Sequence, residues 1–125
     1  MAAGMTGQER RQAPRVPERV AIALSGDGHA VQAHTQNLST AGAYCLVDRF
    51  LPPMTKLQLE FELPDGTRRV TIRGTGVVVR AEPVVSSAER GQYHLAIFFS
   101  EMSERHRAAI SKFVRQRLSS GSSTS

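Results

Sequence analysis

Six short segments with the hydrophobic pattern of β-strands follow one another closely along the chain, and this spacing is the strongest constraint on its fold. They are predicted over residues 19–24, 30–38, 43–47, 57–63, 70–79 and 93–99. In the fourth segment Leu57, Leu59, Phe61 and Leu63 alternate with polar residues, as in a strand with one buried face. The connections are too short for crossover helices, so the sheet is expected to be antiparallel.

After the last predicted strand the hydrophobic period changes to that of a helix. Apolar residues at helical spacing follow, namely Ala109, Ile110, Phe113, Val114 and Leu118. Ser100 or Ser103 is suited to cap the start of this helix, and we expect it to end at Leu118. The expected fold is therefore all-β with one terminal helix. We expect a six-stranded antiparallel β-barrel flanked by a C-terminal α-helix, because closure of a barrel removes exposed strand edges.

Length and composition indicate one globular domain between two polar ends. The chain has 125 residues, of which 40% are hydrophobic. We expect a disordered tail over residues 1–8, the domain over 9–118 and a flexible Ser/Gly tail over 119–125. No apolar run approaches the roughly 18 residues that a membrane span needs. The single cysteine, Cys45, fits a reducing compartment, so we expect a cytoplasmic protein.

The sequence lacks the arrangements of residues that common catalytic sites need. Ser39 is not in a Gly-x-Ser-x-Gly elbow, and no acid completes a triad with His34. No cluster of His, Cys or carboxylate residues has the spacing of a metal site. Glu60 and Glu62 share the polar side of an alternating strand, where solvent exposure explains them. We therefore expect no enzymatic activity, no metal and no cofactor.

The basic residues are almost all arginine. The formal net charge is +5, and among the 16 Lys and Arg residues only Lys56 and Lys112 are lysine. The guanidinium fork binds phosphates and stacks on planar rings, so this bias points to a phosphate or nucleotide partner. A general preference of the genome for arginine would give the same composition.

Three of these arginines lie near the start of the chain, on a segment that contains proline. Arg10, Arg11 and Arg15 precede the first predicted strand, and Pro14 disfavours a helix there. The segment concentrates groups that bind phosphate. Its Arg-x-x-x-Arg spacing is a weak signal by itself, because the pattern occurs three times in this chain.

A second segment interrupts the chain between the second and third predicted strands. It reads Asn37-Leu-Ser39-Thr-Ala-Gly42. The Asn and Ser side chains can offer donors and acceptors to the edge of a planar ligand, and Gly42 would allow a sharp turn or the close approach of a ligand. The pattern Asn/Asp-x-Ser-x-x-Gly is rare, with about 0.03 chance matches expected in a chain of this composition.

The two motifs, in this order on a small barrel, resemble the PilZ domain, a bacterial receptor module for cyclic di-GMP. The resemblance covers nearly the whole chain. Arg11 to Arg15 fits the family's Arg-x-x-x-Arg motif before the first strand, and Asn37 to Gly42 fits its Asp/Asn-x-Ser-x-x-Gly motif. The last strand departs from the family, because residues 93–98 hold no glycine where members often carry one.

The resemblance implies a ligand site for cyclic di-GMP made by both motifs. Its residues would be Arg10, Arg11, Arg15, Asn37, Ser39 and Gly42. The two motif arginines would clamp phosphate and stack on guanine or bond to it, Asn37 and Ser39 would read guanine edges, and Gly42 would hold the turn. Arg10 would either support a stacked ligand dimer or point to solvent.

A signalling role follows from the same resemblance. The arginine segment has few apolar anchors, so we expect it to be mobile without ligand and to order on the barrel when ligand binds. The chain shows no output domain, so the expected receiver is a separate effector protein. Two alternatives stay open, a ligand-independent protein-interaction adaptor of the same fold and a basic barrel that binds single-stranded nucleic acid. The second alternative needs aromatic stacking platforms, and only 6% of residues are aromatic, so we expect no nucleic acid partner.

Overall fold

The computed structural model describes residues 14–26, 28–85 and 91–124. The strands are β1 (Ala21–Gly26), β2 (His29–Leu38), β3 (Gly42–Val47), β4 (Lys56–Asp65), β5 (Arg68–Pro83) and β6 (Tyr93–Met102), and the helix is α1 (Glu104–Thr124). The predicted six strands and terminal helix are confirmed. The strand ends differ from the expected ones by a few residues.

The six strands form a closed barrel in the order β1-β2-β3-β6-β5-β4, and every pair is antiparallel. The barrel closes where β1 pairs with β4, with Ile22 opposite Phe61. Along β4 the apolar residues point inward, and the glutamates at 60 and 62 are exposed and contact arginines of β5. The predicted barrel and the predicted solvent-exposed face of β4 are thus confirmed.

Aliphatic and aromatic side chains from all six strands fill the barrel interior. The buried rings of Phe61 and Phe99 stack on each other, with centroids 6.2 Å apart. Cys45 is fully buried among them, and burial raises the pKa of its thiol to about 12. The thiol is therefore neutral and unreactive in the folded protein.

Helix α1 covers the barrel on the side of β4 and β5. Its apolar face contributes Ile110, Phe113 and Val114 to the core. Ser103, one of the two residues predicted as a possible cap, caps the helix. Its hydroxyl accepts a hydrogen bond from the His106 N–H at 3.2 Å. The helical backbone continues to Thr124, so the expected end at Leu118 is wrong. No proline follows that position, and serine lowers helix propensity only slightly.

The predicted irregularity of β5 is also present. The pairing of β5 with β6 shifts by one residue between Thr75 and Gly76. A Cβ at Gly76 would lie 2.6 Å from Cγ2 of Ile97 and 2.9 Å from Cδ2 of Leu59, so glycine leaves room there for two core side chains. Within the described parts of the chain, no helix is both long and apolar enough to cross a membrane.

Candidate ligand-binding site

The segment that precedes β1 lies along β2. Val16 is buried in the core and exchanges two backbone hydrogen bonds with Leu38, both of 3.0 Å. The Thr35 hydroxyl donates to the carbonyl of Glu18 at 2.5 Å and accepts the Val20 N–H at 2.9 Å. Val16 therefore anchors the described part of this segment to the barrel, while most of the arginine segment for which we expect few apolar anchors lies outside the described residues.

This anchoring brings the two sequence motifs together. The Nη1 of Arg15, from the first motif, donates a hydrogen bond of 2.9 Å to Oδ1 of Asn37, from the second. Arg10 and Arg11, and the expected tail over residues 1–8, lie outside the described residues. Of the predicted binding groups, the structure thus joins one guanidinium and one amide at a solvent-exposed position.

A β-bulge in β2 turns Asn37 toward solvent. Val31, Ala33 and Thr35 alternate into the barrel, so an uninterrupted strand would also bury residue 37. The pairing with β3 shifts between Thr35 and Asn37, and Leu38 becomes the next fully buried residue. The bulge therefore re-aims the Asn37 side chain to the outer surface beside Arg15.

Ser39 shapes the turn that follows β2. It is fully buried, and its hydroxyl oxygen accepts the N–H groups of Ala41 at 3.1 Å and Gly42 at 3.2 Å. Its own N–H donates to the Gly42 carbonyl at 2.9 Å. The geometry differs from the expected contact of Ser39 with a guanine edge, because its hydroxyl is already bonded inside the turn.

Gly42 lies where β3 begins, in contact with β6. A Cβ at this position would lie 2.1 Å from the carbonyl oxygen of Ile97, a distance that no side chain tolerates. The neighbouring Ala41 carbonyl accepts the Phe99 N–H at 2.8 Å, which ties the turn to β6. Glycine at the end of the motif is thus required by the close approach of two strands.

A surface pocket of about 410 Å³ opens beside this turn on the outside of the barrel. Its walls include Arg15, Asn37, Gly42, Tyr44, Arg80 and Phe98. A guanidinium, an amide and aromatic rings in one concave site suit a planar ligand that carries negative charge. A second depression, of about 450 Å³, lies between β1, β4 and α1 and contains none of the four predicted site residues that the structure describes.

Tyr44, Arg80 and Phe98 were not predicted as site residues. Tyr44 and Phe98 belong to predicted strands, and the alternation of β6 indicates that Phe98 faces outward. That signal gives the face of a strand but not its neighbours. Arg80 reaches the pocket only through the pairing of β5 with β6, which the sequence alone does not specify.

In the described part of the chain, no group of three or more His, Cys, Asp or Glu residues could hold a metal ion.

Helix α1 contacts both chain segments that form the site. The Arg107 Nη1 donates to the carbonyl of Thr40, in the turn after β2, at 2.7 Å. The Arg117 Nε lies 3.1 Å from Oε1 of Glu18, in the segment before β1. The site is therefore linked to the helix by two separate polar contacts.

Two comparisons with solved structures give similar folds. The Bacillus subtilis inhibitor of motility MotI/DgrA superposes with a TM-score of 0.77 at 18% identity, over 87% of this chain and 51% of that one. The PilZ domain of YcgR from Escherichia coli, solved with c-di-GMP (cyclic di-GMP), gives a TM-score of 0.60 at 13% identity, over 90% and 98% of the two chains. The chain thus spans about half the length of MotI/DgrA.

Sequence comparisons give one family. A search among curated proteins gives no match. The family model of the PilZ domain matches residues 9–116, which include all six strands, both sequence motifs and most of α1. With this match over most of its length, the chain belongs to the PilZ domain family.

Proposed function

We propose that this protein is a non-enzymatic receptor for cyclic di-GMP, with its binding site in the pocket between the segment before β1 and the turn after β2. The observation that carries this proposal is the 2.9 Å hydrogen bond between Arg15 and Asn37, which joins the two motifs at the edge of the pocket. The presence of c-di-GMP in the structure of the YcgR PilZ domain gives independent support.

The chemistry of the pocket suits the two kinds of group in this ligand, phosphate and guanine. The Arg15 guanidinium can donate two parallel hydrogen bonds to a phosphate or to the O6 and N7 acceptors of guanine. The Asn37 amide offers a donor and an acceptor to the edge of a base. The rings of Tyr44 and Phe98 supply apolar surface against which a base can pack.

The remaining predicted residues take different parts in the proposed site. On the basis of the sequence motif we expect Arg11 to join Arg15 on the ligand, and Arg10 either to support a stacked ligand dimer as a third cation or to point to solvent. Ser39 and Gly42 act through the shape of the turn. The Ser39 hydroxyl is bonded within the turn, and the Cα of Gly42 lies against β6.

The output of the receptor follows from the contacts of helix α1. Ligand held by Arg15 and Asn37 would fix the segment before β1 against the turn after β2, and α1 contacts both of them. We expect a separate effector protein to recognise the resulting surface, so that the ordering of these segments transmits the signal.

Titration calorimetry with cyclic di-GMP tests the binding assignment. Replacement of Arg15 by alanine removes a charge-assisted hydrogen-bond donor worth about 1.5–3 kcal/mol, so affinity should fall by roughly 10- to 100-fold. Arg69→Ala is the matched control, because Arg69 is also exposed, pairs with Glu62 and lies outside the pocket.

Binding measurements on the unaltered protein and on the Arg15→Ala protein decide between the proposal and its alternatives. Unchanged affinity of the Arg15→Ala protein would contradict the assignment. No binding of cyclic di-GMP by the unaltered protein would favour the ligand-independent adaptor. Binding of a single-stranded oligonucleotide that cyclic di-GMP does not displace would favour the nucleic acid alternative.

A further inference from the structure

A row of directly paired residues crosses the outside of the barrel at the pocket. Asn37 in β2 pairs with Tyr44 in β3, Tyr44 with Ala96 in β6, and Ala96 with Arg80 in β5. Neighbouring strands lie about 4.8 Å apart, so the row extends over about 14 Å from Asn37 to Arg80. All four residues line the same pocket, with an amide at one end and a guanidinium at the other.

Arg80 reaches this surface by the same structural device as Asn37. Val78 is fully buried, so an uninterrupted strand would also point residue 80 into the barrel. The pairing of β5 with β6 shifts between Val78 and Arg80, after which Arg80 is exposed and Ala81 packs against the core. Two bulges, one in β2 and one in β5, therefore turn a polar side chain outward at opposite ends of one row.

A carboxylate contacts two members of the row. The Arg80 Nε lies 3.7 Å from Oε2 of Glu82, and the Tyr44 hydroxyl donates to Oε1 of the same residue at 3.5 Å. Arg80 makes this ion pair through its Nε. Its two terminal nitrogens are outside that contact and can donate to an anion or to a base edge.

We propose that Arg80 is a further ligand-binding residue, which contacts one guanine–phosphate half of cyclic di-GMP while Arg15 and Asn37 hold the other half. This inference rests on the proposed function. Cyclic di-GMP consists of two identical halves, each with one phosphate and one guanine, and the row presents a polar group at each end. Arg80 would thus make the pocket select a dinucleotide over a mononucleotide.

Calorimetry with cyclic di-GMP and with GMP as probes tests the role of Arg80. We expect Arg80→Ala to lower the affinity for cyclic di-GMP by roughly 10- to 100-fold. Its preference for cyclic di-GMP over GMP should shrink by a similar factor, because the group that holds the second half is gone. Arg80→Lys keeps the charge but lacks the fork, and should lose most of the same affinity.

Arg73→Ala is the control for general charge effects. Arg73 lies on the same strand, is exposed, and its Nε contacts Oε1 of Glu60 at 2.9 Å outside the pocket. Arg73→Ala should leave the affinities for cyclic di-GMP and for GMP unchanged. Because Arg80 is exposed, circular dichroism should show that its variants fold normally.

The outcomes separate this inference from the proposed function. If the unaltered protein binds and only Arg15→Ala weakens binding, the role of Arg80 is wrong and the receptor function stands. If Arg73→Ala weakens binding as much as Arg80→Ala, the effect is one of net charge and the inference is overturned. If the unaltered protein does not bind cyclic di-GMP, both proposals fail.

Discussion

At Gly42 the backbones of β3 and β6 leave no room for a side chain. Because a Cβ would lie 2.1 Å from the Ile97 carbonyl oxygen, Gly42→Ala must push the two strands apart or distort the turn. We expect the free energy of unfolding to fall by about 2 kcal/mol or more, as overpacked sites commonly do. Urea denaturation measures this change.

A second glycine gives the control. Gly28 has a φ of +79° and open space around its Cα, and asparagine tolerates that backbone conformation. Gly28→Asn should therefore be nearly neutral. Equal stability of the Gly42→Ala protein and the unaltered protein would show that β3 can move away from β6 at little cost.

Single residues also show what the sequence could and could not predict about the site. Asn37 and Gly42 were predicted from a local motif, and the structure places both at the pocket. Ser39 was predicted as a direct contact, but its hydroxyl is bonded within its own turn. Arg80 was not predicted as a site residue, because its position at the pocket depends on the pairing of β5 with β6. Such pairings are set by the whole fold.

At the scale of elements, Arg107 links helix α1 to the turn after β2. Its guanidinium donates to the Thr40 carbonyl at 2.7 Å and to the Phe99 carbonyl at 3.5 Å. Arg107→Ala should lower the free energy of unfolding by about 1.5 kcal/mol, since a partly buried charge-assisted contact is lost. It should also loosen the turn.

Hydrogen exchange measures that loosening. The amides of Ala41 and Gly42, which donate to Ser39, should exchange faster in the Arg107→Ala protein. Arg115→Ala is the control, because Arg115 is exposed and donates only to Ser111 of its own helix among the described residues. Unchanged exchange at Ala41 and Gly42 would mean that the helix does not hold the turn.

Elements were easier to predict than their irregularities. The alternation of apolar residues in β4 and the helical spacing in α1 record which face is buried, so both could be recognised. The bulges after Thr35 and Val78 could not, because each depends on how a partner strand pairs with its own. The helix end was also misplaced, since Gly121 and the serines around it indicate a tail but the helix continues through them.

For the whole molecule, the buried thiol of Cys45 links stability to pH. Its pKa is raised from 9.0 to about 12, so between these values the folded protein keeps a proton that the unfolded chain releases. The stabilisation is complete below pH 9.0 and is lost as pH rises toward 12. In this range the free energy of unfolding falls by at most about 1.4 kcal/mol per pH unit because of this thiol.

Comparison with a variant isolates this effect from other groups that titrate at high pH. Cys45→Val keeps a small apolar side chain but removes the thiol. Between about pH 8 and about pH 10.5, the unaltered protein should lose about 2 kcal/mol more stability in urea denaturation than the variant. Parallel pH profiles for the two proteins would mean that water reaches the thiol.

Closure of the barrel has a consequence for how another protein can recognise this one. Each of the six strands already has a hydrogen-bonded neighbour on both sides. Where a strand is paired on both sides, an incoming chain cannot extend the sheet with its own main chain, as peptides do when they bind a free strand edge. Recognition there has to proceed through outward-facing side chains, which a single substitution can alter without disturbing the hydrogen-bonded framework beneath them.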